Sequence, residues 1–422
     1  MKRFISFLLS IILVFCISIT SFATNKNIVK ENEDIQVAKT VVTEEDKKQL
    51  ETLPVEIKAK AVVLMEVKSG KVLMEYNPDT KLFPASVTKI MTMLLVAEAI
   101  NSKKITLADK VTCSANAATK GGSQIWLEEG ESMTVDELLR ATAIGSANDA
   151  ATLLGEYVAG SETAFIDMMN NRAKELKMNN THFENATGLD DTTDTHLTTA
   201  RDIGIMSCEL LKYDFIRDYT TVWMDSLRGG KTELVNTNKL VRFYSGTTGL
   251  KTGTTAKAGC CVSASAEREG LHLVAVVMGS DNSNDRFNTA KAMLNWGFSN
   301  YSCITPEISK KYSKNVEVVG GKEDFVKPKM PTITPVIVKK GEEEKIEIKV
   351  EMEECIEAPV VEKQTIGNIK IIVDGKKIAE YKITAKNAVE ELGFWGNMKK
   401  VANFVANGEK AYPKLSKNLD NT

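Results

Sequence analysis

Three short groups of polar residues carry the side chains that nucleophilic chemistry needs. They are Ser86-Val87-Thr88-Lys89, Ser146-Ala147-Asn148 and Lys251-Thr252-Gly253. Between them they supply hydroxyls, amines and an amide, which can attack a carbonyl carbon, move protons and hold a substrate. Each group alone is a weak signal, because an S-x-x-K tetrapeptide occurs by chance in many chains of this length. The occurrence of all three groups in one chain, in this order and spacing, is a much stronger signal.

Ser86 and Lys89 are spaced for activation of a nucleophile. Positions three apart share one face of a helix, so the Lys89 amine can reach the Ser86 hydroxyl. Serine by itself is a weak nucleophile. A neutral amine can take its proton if burial and a nearby cation such as Lys251 lower the lysine pKa. We therefore predict that Ser86 is the nucleophile and that Lys89 is its base.

The third group has the chemistry to hold a substrate that ends in a free carboxylate. Lys251 offers a positive charge, and Thr252 offers a hydroxyl donor. Gly253 has no side chain and would let an acyl chain lie close to the backbone. The sequence thus predicts a carboxylate-binding segment at these residues.

Strands at both ends of one domain must position these groups. Residues 61–65 and 72–74 are apolar runs separated by a turn signal, and they predict two antiparallel strands. Residues 259–266 and 271–279 are short, apolar and rich in Val and Ala, which predicts buried strands. With helices between the two pairs, the pattern implies an α+β domain whose first and last strands share one sheet.

The helices predicted between these strands place the first two polar groups. One helix is predicted over residues 86–100 because of its Met, Leu and Ala content. A second begins at a capping box formed by Thr134 and Glu137. A third covers residues 149–157, and the group that begins at Ser146 falls in the break between the last two helices.

The pattern changes after about Ser299, where Pro-containing segments with alternating apolar residues begin. Residues 345–350 alternate strictly, and residues 369–373 lead into a turn at Asp374-Gly375. Such segments are typical of a β-hairpin. We predict a catalytic domain over residues 57–299, followed by a separate small all-β domain over residues 300–385.

In order and spacing, the three polar groups match the S-x-x-K, S-x-N and K-T-G set of serine acyl-transfer enzymes. With their neighbours they resemble the low-molecular-mass penicillin-binding D-alanyl-D-alanine carboxypeptidases over about residues 55–385. The resemblance implies the penicillin-binding/β-lactamase-like transpeptidase fold, an antiparallel sheet flanked by helices. The segments that carry it are residues 84–92, 146–150, 181–183, Gly188-Leu189, His196, 236–238 and 249–253.

The resemblance also implies an activity and further roles. Members of this family remove the terminal D-alanine from peptidoglycan stem pentapeptides ending in D-Ala-D-Ala, and β-lactams inhibit them covalently. Ser146 would relay a proton to the leaving amine, and Asn148 would hydrogen-bond the substrate amide. Backbone N–H groups of Ser86 and Thr254 would form the oxyanion hole. No cofactor and no metal ion are expected.

Two departures from the family pattern leave substrate preference and rate open. Some members carry a His directly after K-T-G, where this chain has Thr254. Residues 185–188 lack the Pro that often precedes the Gly-Leu pair. Neither departure touches the three central motifs, so the reaction class is unaffected.

Length and composition fit a globular protein of two domains. The chain has 422 residues, of which 43% are hydrophobic and 26% are charged. The formal net charge is −2. Without a basic excess to neutralise phosphates, a nucleic-acid partner is not expected.

The N-terminus has the three parts of a secretory signal. Basic Lys2-Arg3 precedes an apolar run over residues 4–19, and Ser21 and Ala23 form a small-residue cleavage pattern. Cleavage after Ala23 would give a signal peptide over residues 1–23, with a retained membrane anchor as the alternative. A polar, flexible lead-in over residues 24–56 follows. We expect an exported protein at the outer face of the cytoplasmic membrane or in the cell wall.

The C-terminal region predicts an amphipathic helix over residues 386–408, before a tail over residues 409–422. Its polar and charged residues fall on the side away from the apolar stripe. It is too short and too charged to span a bilayer, but it suits burial among lipid headgroups. The alternative is a stripe that packs on the β domain. The apolar residues are Phe394, Trp395, Met398, Val401, Ala402 and Val405.

The remaining distinctive residues favour structural interpretations. The six cysteines after residue 23 form no C-x-x-C pair, which favours free and mostly buried thiols. His182, His196 and His272 are too few and too scattered for a metal site, and His196 is predicted to be a structural hydrogen-bonding residue. Trp126 is predicted to pack near the site, with packing in the core as the more conservative interpretation.

Two other functions remain open at this point. A class A β-lactamase would need a Glu that activates the deacylating water, and Glu175 with Asn179 is the nearest candidate. However, residues 165–176 predict a continuous amphipathic helix, which makes that match accidental. The second alternative is a catalytically silent wall-binding protein, against which the three intact motifs argue.

Overall fold

The computed structural model describes residues 52–407. The predicted signal peptide, nearly all of the lead-in and the C-terminal tail lie outside these residues. The last residues of the lead-in are described, and Leu53 and Val55 pack against a core of the larger domain. Ordered packing therefore begins a few residues before the predicted start of the catalytic domain at residue 57.

The larger part of the molecule is built on nine strands and nine helices within residues 61–300. The strands are β1 (Ala61–Glu66), β2 (Val72–Tyr76), β3 (Lys110–Thr112), β4 (Ser132–Thr134), β5 (Met224–Leu227), β6 (Thr232–Val235), β7 (Thr247–Thr255), β8 (Gly259–Arg268) and β9 (Leu271–Ser280). The helices are α1 (Lys89–Asn101), α2 (Ala115–Ala118), α3 (Val135–Ala143), α4 (Asn148–Ala159), α5 (Glu162–Glu175), α6 (Ala200–Leu210), α7 (Arg217–Thr220), α8 (Leu240–Phe243) and α9 (Ser283–Asn300).

A five-stranded antiparallel sheet with the order β2-β1-β9-β8-β7 forms the centre of this domain. The first and last strands of the domain are neighbours, with Ala61 opposite Met278 and Glu66 opposite Leu273. The predicted sharing of one sheet by the two strand pairs is confirmed. Because β7 forms an edge of the sheet, one of its sides stays available to the nucleophile segment.

Alternate side chains of β1 serve two different cores. Val63 and Met65 lie in the core that includes α1 and α6, whereas Val62 and Leu64 lie in the core that includes α9. Helices thus cover both faces of the sheet. As a result, every residue of β9 is buried, which is the pattern of a central strand between two helical layers.

Local sequence signals explain where several helices begin. The predicted capping box is confirmed, because the Thr134 hydroxyl accepts from the Glu137 N–H at 3.2 Å and the Glu137 carboxylate accepts from the Thr134 N–H at 2.9 Å. Helices α6 and α9 were not predicted from the sequence. Each begins at a capping residue, Thr199 and Asn282, whose side chain accepts from backbone N–H groups of the first turn.

The smaller domain is all-β. Its strands form a four-stranded sheet and a three-stranded sheet around one apolar core, and a strand pair adds Val336 to that core while its Tyr301 and Cys303 pack in a core of the larger domain. The predicted hairpin at Asp374-Gly375 is confirmed, with Val373 opposite Lys376 across the turn. The strands are β10 (Tyr301–Ile304), β11 (Val316–Val319), β12 (Phe325–Val326), β13 (Pro328–Lys329), β14 (Val336–Lys339), β15 (Ile346–Met352), β16 (Cys355–Glu357), β17 (Thr365–Val373) and β18 (Lys376–Ala385).

A terminal helix, α10 (Phe394–Asn407), follows the β domain. It begins later than the predicted residue 386, because Val389 and Glu391 form isolated bridges with Val360 and Gly321 of the β domain. Within residues 52–407, no helix is long and apolar enough to cross a membrane.

Candidate active site

Ser86 lies in a tight turn rather than in an α-helix. A 3₁₀ turn spans Ala85–Thr88, and α1 begins directly after it at Lys89. Residues three apart are eclipsed in such a turn, so the predicted contact forms, with the Lys89 Nζ 2.9 Å from the Ser86 Oγ. Ser86 is half-buried, whereas Lys89 is fully buried. The hydroxyl is therefore accessible and the amine beside it is not.

The surroundings of Lys89 favour its neutral form. Burial lowers its pKa well below the ordinary lysine value, and the positive charge of Lys251 lowers it further, against the opposing charge of Asp149. Its Nζ also lies 2.9 Å from the carbonyl oxygen of Thr187 and 2.5 Å from the Asn148 Oδ1. A neutral amine held this way can accept the serine proton.

Asn148 joins this network from the first position of α4. Its backbone N–H donates to the Ser123 carbonyl at 2.7 Å, and its side-chain amide donates to the Gly121 carbonyl at 2.6 Å. Because its oxygen accepts from Lys89, both ends of the side chain are engaged by the protein. A substrate amide would have to share or replace one of these bonds, a constraint that the sequence did not reveal.

Asp149 fixes the loop in front of Asn148 and was missed by the sequence analysis. Its buried carboxylate accepts from the N–H groups of Ile125 at 3.1 Å and Leu127 at 3.0 Å. The next N–H of its own helix, that of Ala150, donates to it at 2.9 Å. Asp149 is thus a positioning residue that ties residues 125–127 to the start of α4.

Ser146 lies in the predicted break, between α3 and α4. It is buried and has a φ of 62°, which is unusual for a residue other than glycine. In the described part of the chain, no hydrogen bond joins its hydroxyl to Ser86, Lys89 or Lys251. Its position is therefore fixed by the backbone rather than by the catalytic network.

Lys251 and Thr252 lie buried on the edge strand β7. The Lys251 Nζ donates to the Thr252 carbonyl at 3.1 Å, and the Thr252 Oγ1 lies 2.7 Å from the Thr237 Oγ1. Burial and the charge of Arg286 lower the pKa of Lys251 to about 7. A carboxylate bound here would provide the anion that a buried ammonium group needs.

Close packing within the protein requires a glycine at position 253. A Cβ at this position would lie 2.8 Å from both the Pro84 carbonyl oxygen and the Ser86 nitrogen. The strand therefore packs directly against the nucleophile turn, which is a more specific reason for glycine than the predicted approach of an acyl chain.

A second glycine, Gly188, also packs directly against the nucleophile turn. A Cβ at Gly188, whose φ is 85°, would lie 1.8 Å from the Ala85 carbonyl oxygen. The Asn185 side chain shapes this loop, because its oxygen accepts from the Thr187 and Gly188 N–H groups at 3.0 and 2.7 Å. The Asn-x-x-Gly spacing was the available signal, and it places the Thr187 carbonyl against Lys89.

Arg286 reaches the end of β7 from the first turn of α9. Its Nη1 donates to the Gly253 carbonyl and to the Thr254 Oγ1, both at 2.9 Å. The Thr254 hydroxyl in turn donates to the Gly253 carbonyl at 2.8 Å. Arg286 supplies a buried cation beside Lys251 that nothing in the sequence indicated.

Several single-residue predictions can be compared with the structure. The core-packing prediction for Trp126 is wrong, because its side chain is 70% exposed. His196 is a structural residue as predicted, since its ring bonds to the Thr88 Oγ1 at 2.9 Å and accepts from the Glu184 N–H at 3.0 Å. Burial lowers its pKa to about 4, so it is neutral.

The remaining two predictions concern Glu175 and the cysteines. Glu175 is the last residue of the continuous helix α5, and its carboxylate pairs with Arg172 at 3.0 Å. The prediction of a continuous helix is confirmed. Among the described residues, Cys113, Cys208, Cys260 and Cys261 are buried free thiols, as predicted.

Comparison with known proteins agrees with this geometry. Residues 46–282 match the family described as D-alanyl-D-alanine carboxypeptidase, and residues 307–391 match the C-terminal domain of penicillin-binding protein 5. The D-alanyl-D-alanine carboxypeptidase DacF of Bacillus subtilis is 41% identical over 345 residues, covering 80% of this chain and 87% of that protein. DacC of Escherichia coli is 34% identical over 350 residues, covering 81% and 87%.

Solved structures show the same relationship. Penicillin-binding protein 5 of Haemophilus influenzae superimposes with a TM-score of 0.67 at 29% identity, covering 80% of this chain and 99% of that one. Penicillin-binding protein D2 of Listeria monocytogenes, solved in a cefotaxime-bound form, gives a TM-score of 0.54 at 30% identity, covering 58% and 99%.

Proposed function

Because the chain belongs to the D-alanyl-D-alanine carboxypeptidase family and is a serine-type hydrolase of that kind, we propose that Ser86 carries the acyl group. The substrate would be a peptidoglycan stem pentapeptide ending in D-Ala-D-Ala, and the product would be free D-alanine. The observation that supports this most directly is the 2.9 Å contact between the Ser86 Oγ and the buried amine of Lys89. β-Lactams would acylate the same oxygen.

The reaction would proceed in two steps, acylation of Ser86 and hydrolysis of the acyl-enzyme. Lys89 takes the Ser86 proton while the oxygen attacks the penultimate carbonyl, and the N–H groups of Ser86 and Thr254 hold the developing oxyanion. The C–N bond then breaks, and the proton on Lys89 passes through Ser146 to the D-alanine amine, which requires Ser146 to gain a contact with Lys89 that it lacks in the free protein. Water attacks the acyl-enzyme with Lys89 as base, which releases the shortened peptide and restores the serine.

The substrate carboxylate would be held at β7. Lys251 would pair with it as an ammonium group and Thr252 would donate its hydroxyl, in place of the present contact with Thr237. Asn148 would bond the substrate amide by exchanging one of its internal partners. Gly253 would keep the strand close enough to the nucleophile turn for these groups to act on one substrate.

The test of this proposal is release of D-alanine from a D-Ala-D-Ala-terminated pentapeptide by the purified protein. We expect hydrolysis, together with one equivalent of stable adduct formed with penicillin. Rapid turnover of a chromogenic cephalosporin would indicate a β-lactamase instead. Failure both to release D-alanine and to retain labelled penicillin would indicate a silent wall-binding protein.

We also propose export to the outer face of the cytoplasmic membrane or the cell wall, with α10 lying on the membrane surface. Within α10 several apolar side chains are exposed rather than packed on the β domain, among them Trp395 at 82% and Val405 at 77%. Lys400 pairs with Asp324 of the β domain, which holds the polar side of the helix in place. An exposed aromatic face favours insertion among headgroups.

Deletion of residues 393–422, which leaves the bridges of Val389 and Glu391 in place, tests the membrane proposal. The mature protein should sediment with anionic liposomes, and the truncated protein should remain in the supernatant while hydrolysing soluble peptide at an equal rate. Equal sedimentation of the two forms would contradict a surface role for the helix.

A further inference from the structure

Trp126 is presented to solvent by a loop next to the active site. Its side chain is 70% exposed although tryptophan is a large apolar residue. The loop is short and leads directly to the catalytic network, because the Ser123 carbonyl accepts from the Asn148 N–H at 2.7 Å. An exposed indole at this place needs an explanation that core packing cannot give.

The backbone holds this indole outward firmly. Trp126 has a φ of 55°, a conformation that L-residues other than Asn and Asp rarely adopt. Its two neighbours donate their N–H groups to the buried Asp149, and its own carbonyl accepts from Arg228 at 3.4 Å. The loop is thus fixed on both sides of the tryptophan, and the strained position persists because its surroundings determine it.

A cavity of about 500 Å³ opens beside the indole. An ion pair between Arg228 and Glu131 at 2.7 Å forms part of its wall. Exposed charged groups of both signs complete the lining. The cavity therefore offers hydrogen-bond donors and acceptors around the apolar indole ring of Trp126. These lining residues are Glu128, Lys231 and Glu233, with Ile125 and Thr232 between them.

The length of the connecting chain sets an upper limit on the distance from this cavity to the carboxylate-binding strand. Thr237 contacts Thr252 of β7, and the chain runs from Thr237 back along β6 to Thr232, which lines the cavity. At about 3.3 Å per residue this path measures roughly 17 Å. In a pentapeptide stem, five residues separate the terminal carboxylate from the sugar, which is roughly 17 Å when extended.

We propose that Trp126 and this cavity bind the glycan to which the stem peptide is attached. The flat indole matches the C–H face of a pyranose ring, and the charged groups around it match the sugar hydroxyls and acetamido groups. The inference rests on the proposed function, since it extends the same substrate beyond its peptide. The enzyme would then discriminate between stem peptides on the wall and free peptides of equal sequence.

The test compares two substrates for the mature full-length protein, a free pentapeptide and the same pentapeptide on its N-acetylglucosamine–N-acetylmuramic acid disaccharide. We expect kcat/KM to favour the disaccharide substrate by about tenfold, equivalent to about 1.4 kcal/mol. In Trp126→Ala that ratio should fall to about one. Trp126→Phe should retain an intermediate ratio, and Phe243→Ala, which removes another exposed aromatic, should keep the wild-type ratio.

A wild-type ratio of one would overturn the proposal, as would a Trp126→Ala variant that keeps the tenfold ratio. Binding of the peptide-free disaccharide, followed by indole fluorescence in wild type and Trp126→Phe, provides a readout that does not depend on hydrolysis. If neither substrate yields D-alanine but the disaccharide quenches Trp126, the proposed activity fails and the sugar site stands. If hydrolysis occurs without a glycan preference or quenching, only the sugar site fails.

Discussion

The two domains bury very different kinds of side chain. Within residues 52–407, every buried polar or charged residue lies between Glu66 and Thr289, in the larger domain. The β domain keeps its core apolar, with Ile366, Ile369 and Ile383 at its centre. In the described part of the chain, the larger domain therefore contains buried charged groups and the β domain contains none.

The difference follows from how the sheets are covered. Strand β9 is buried along its whole length between two helical layers, whereas β15 alternates between half-buried and exposed positions. Within the larger domain, burial removes water from Lys89 and Lys251 and lowers their pKa values. In a sheet with one open face, charged side chains can remain in water on that face. Such a sheet does not desolvate an amine, so it is poorly suited to activating one.

The largest effect should come from removing the nucleophile. Ser86→Ala deletes the oxygen that would form the acyl-enzyme, and kcat should fall by about 10⁶-fold on D-Ala-D-Ala peptides. Intact-mass analysis should show no penicilloyl adduct, while circular dichroism stays that of the wild type. An adduct on any other residue would show that the site is misassigned.

Substitution of Lys251 should lower activity less than Ser86→Ala does, and it should also change stability. Lys251→Met removes the charge that pairs with the carboxylate, so kcat/KM on the free acid should fall by about 10²–10³-fold. The same change removes a buried ammonium group, so the free energy of unfolding should rise by about 1–2 kcal/mol. Chemical denaturation measures the second quantity.

The pH dependence of that stabilisation has a defined direction. The pKa of Lys251 is about 7 in the folded protein and about 10.4 when unfolded. The gain in Lys251→Met should therefore be largest below about pH 7 and should shrink between pH 7 and 10, as wild-type Lys251 loses its proton. For activity, the peptide amide is the matched control, and equal loss on acid and amide would contradict the carboxylate role.

The pH profile of kcat/KM should depend on the protonation of both buried lysines, Lys89 and Lys251. Activity should rise with pH as Lys89 becomes neutral and should fall above about pH 7 as Lys251 in the free enzyme loses its charge. Arg286→Gln removes a nearby cation that lowers the pKa of Lys251, so the alkaline limb should move to higher pH. Arg286→Lys keeps the charge and should leave that limb in place. An unmoved limb in Arg286→Gln would exclude Lys251 as its source.

The smallest effect is expected from a lysine of the β domain. Lys349→Gln alters an exposed side chain of β15, so the free energy of unfolding should change by less than about 0.5 kcal/mol. Penicillin acylation rates should match those of the wild type. A rise in the free energy of unfolding as large as that of Lys251→Met would show that the two domains do not differ as proposed.

Sequence patterns predicted the elements that carry strong local signals. The capping box at Thr134, the apolar strands near residues 259 and 271 and the hairpin at Asp374 each follow from a few neighbouring residues. Helix α9 was missed because its apolar residues do not form one clear stripe, although Asn282 and Asp285 carried an N-terminal signal. Periodicity detects elements with one buried face better than elements that are covered on several sides.

The site was predictable only where its residues are neighbours in sequence. The contact of Ser86 with Lys89 follows from spacing, but Arg286 approaches Gly253 from a different element and has no motif. Core packing of Trp126 was the more conservative interpretation, but its exposure and its positive φ cannot be read from residue type. Tertiary contacts decide both cases.

The two glycines that hold the nucleophile turn have a consequence for how this protein acquires reactivity. Gly188 and Gly253 come from distant parts of the chain and close on Ala85 and Ser86 from two sides. Lys89 reaches the Thr187 carbonyl across 98 residues of sequence. A partly folded chain therefore has the serine but not its environment, and it should remain unlabelled. A fluorescent penicillin would accordingly report the completion of folding, so pulse labelling during refolding or after export would count finished molecules rather than synthesised ones.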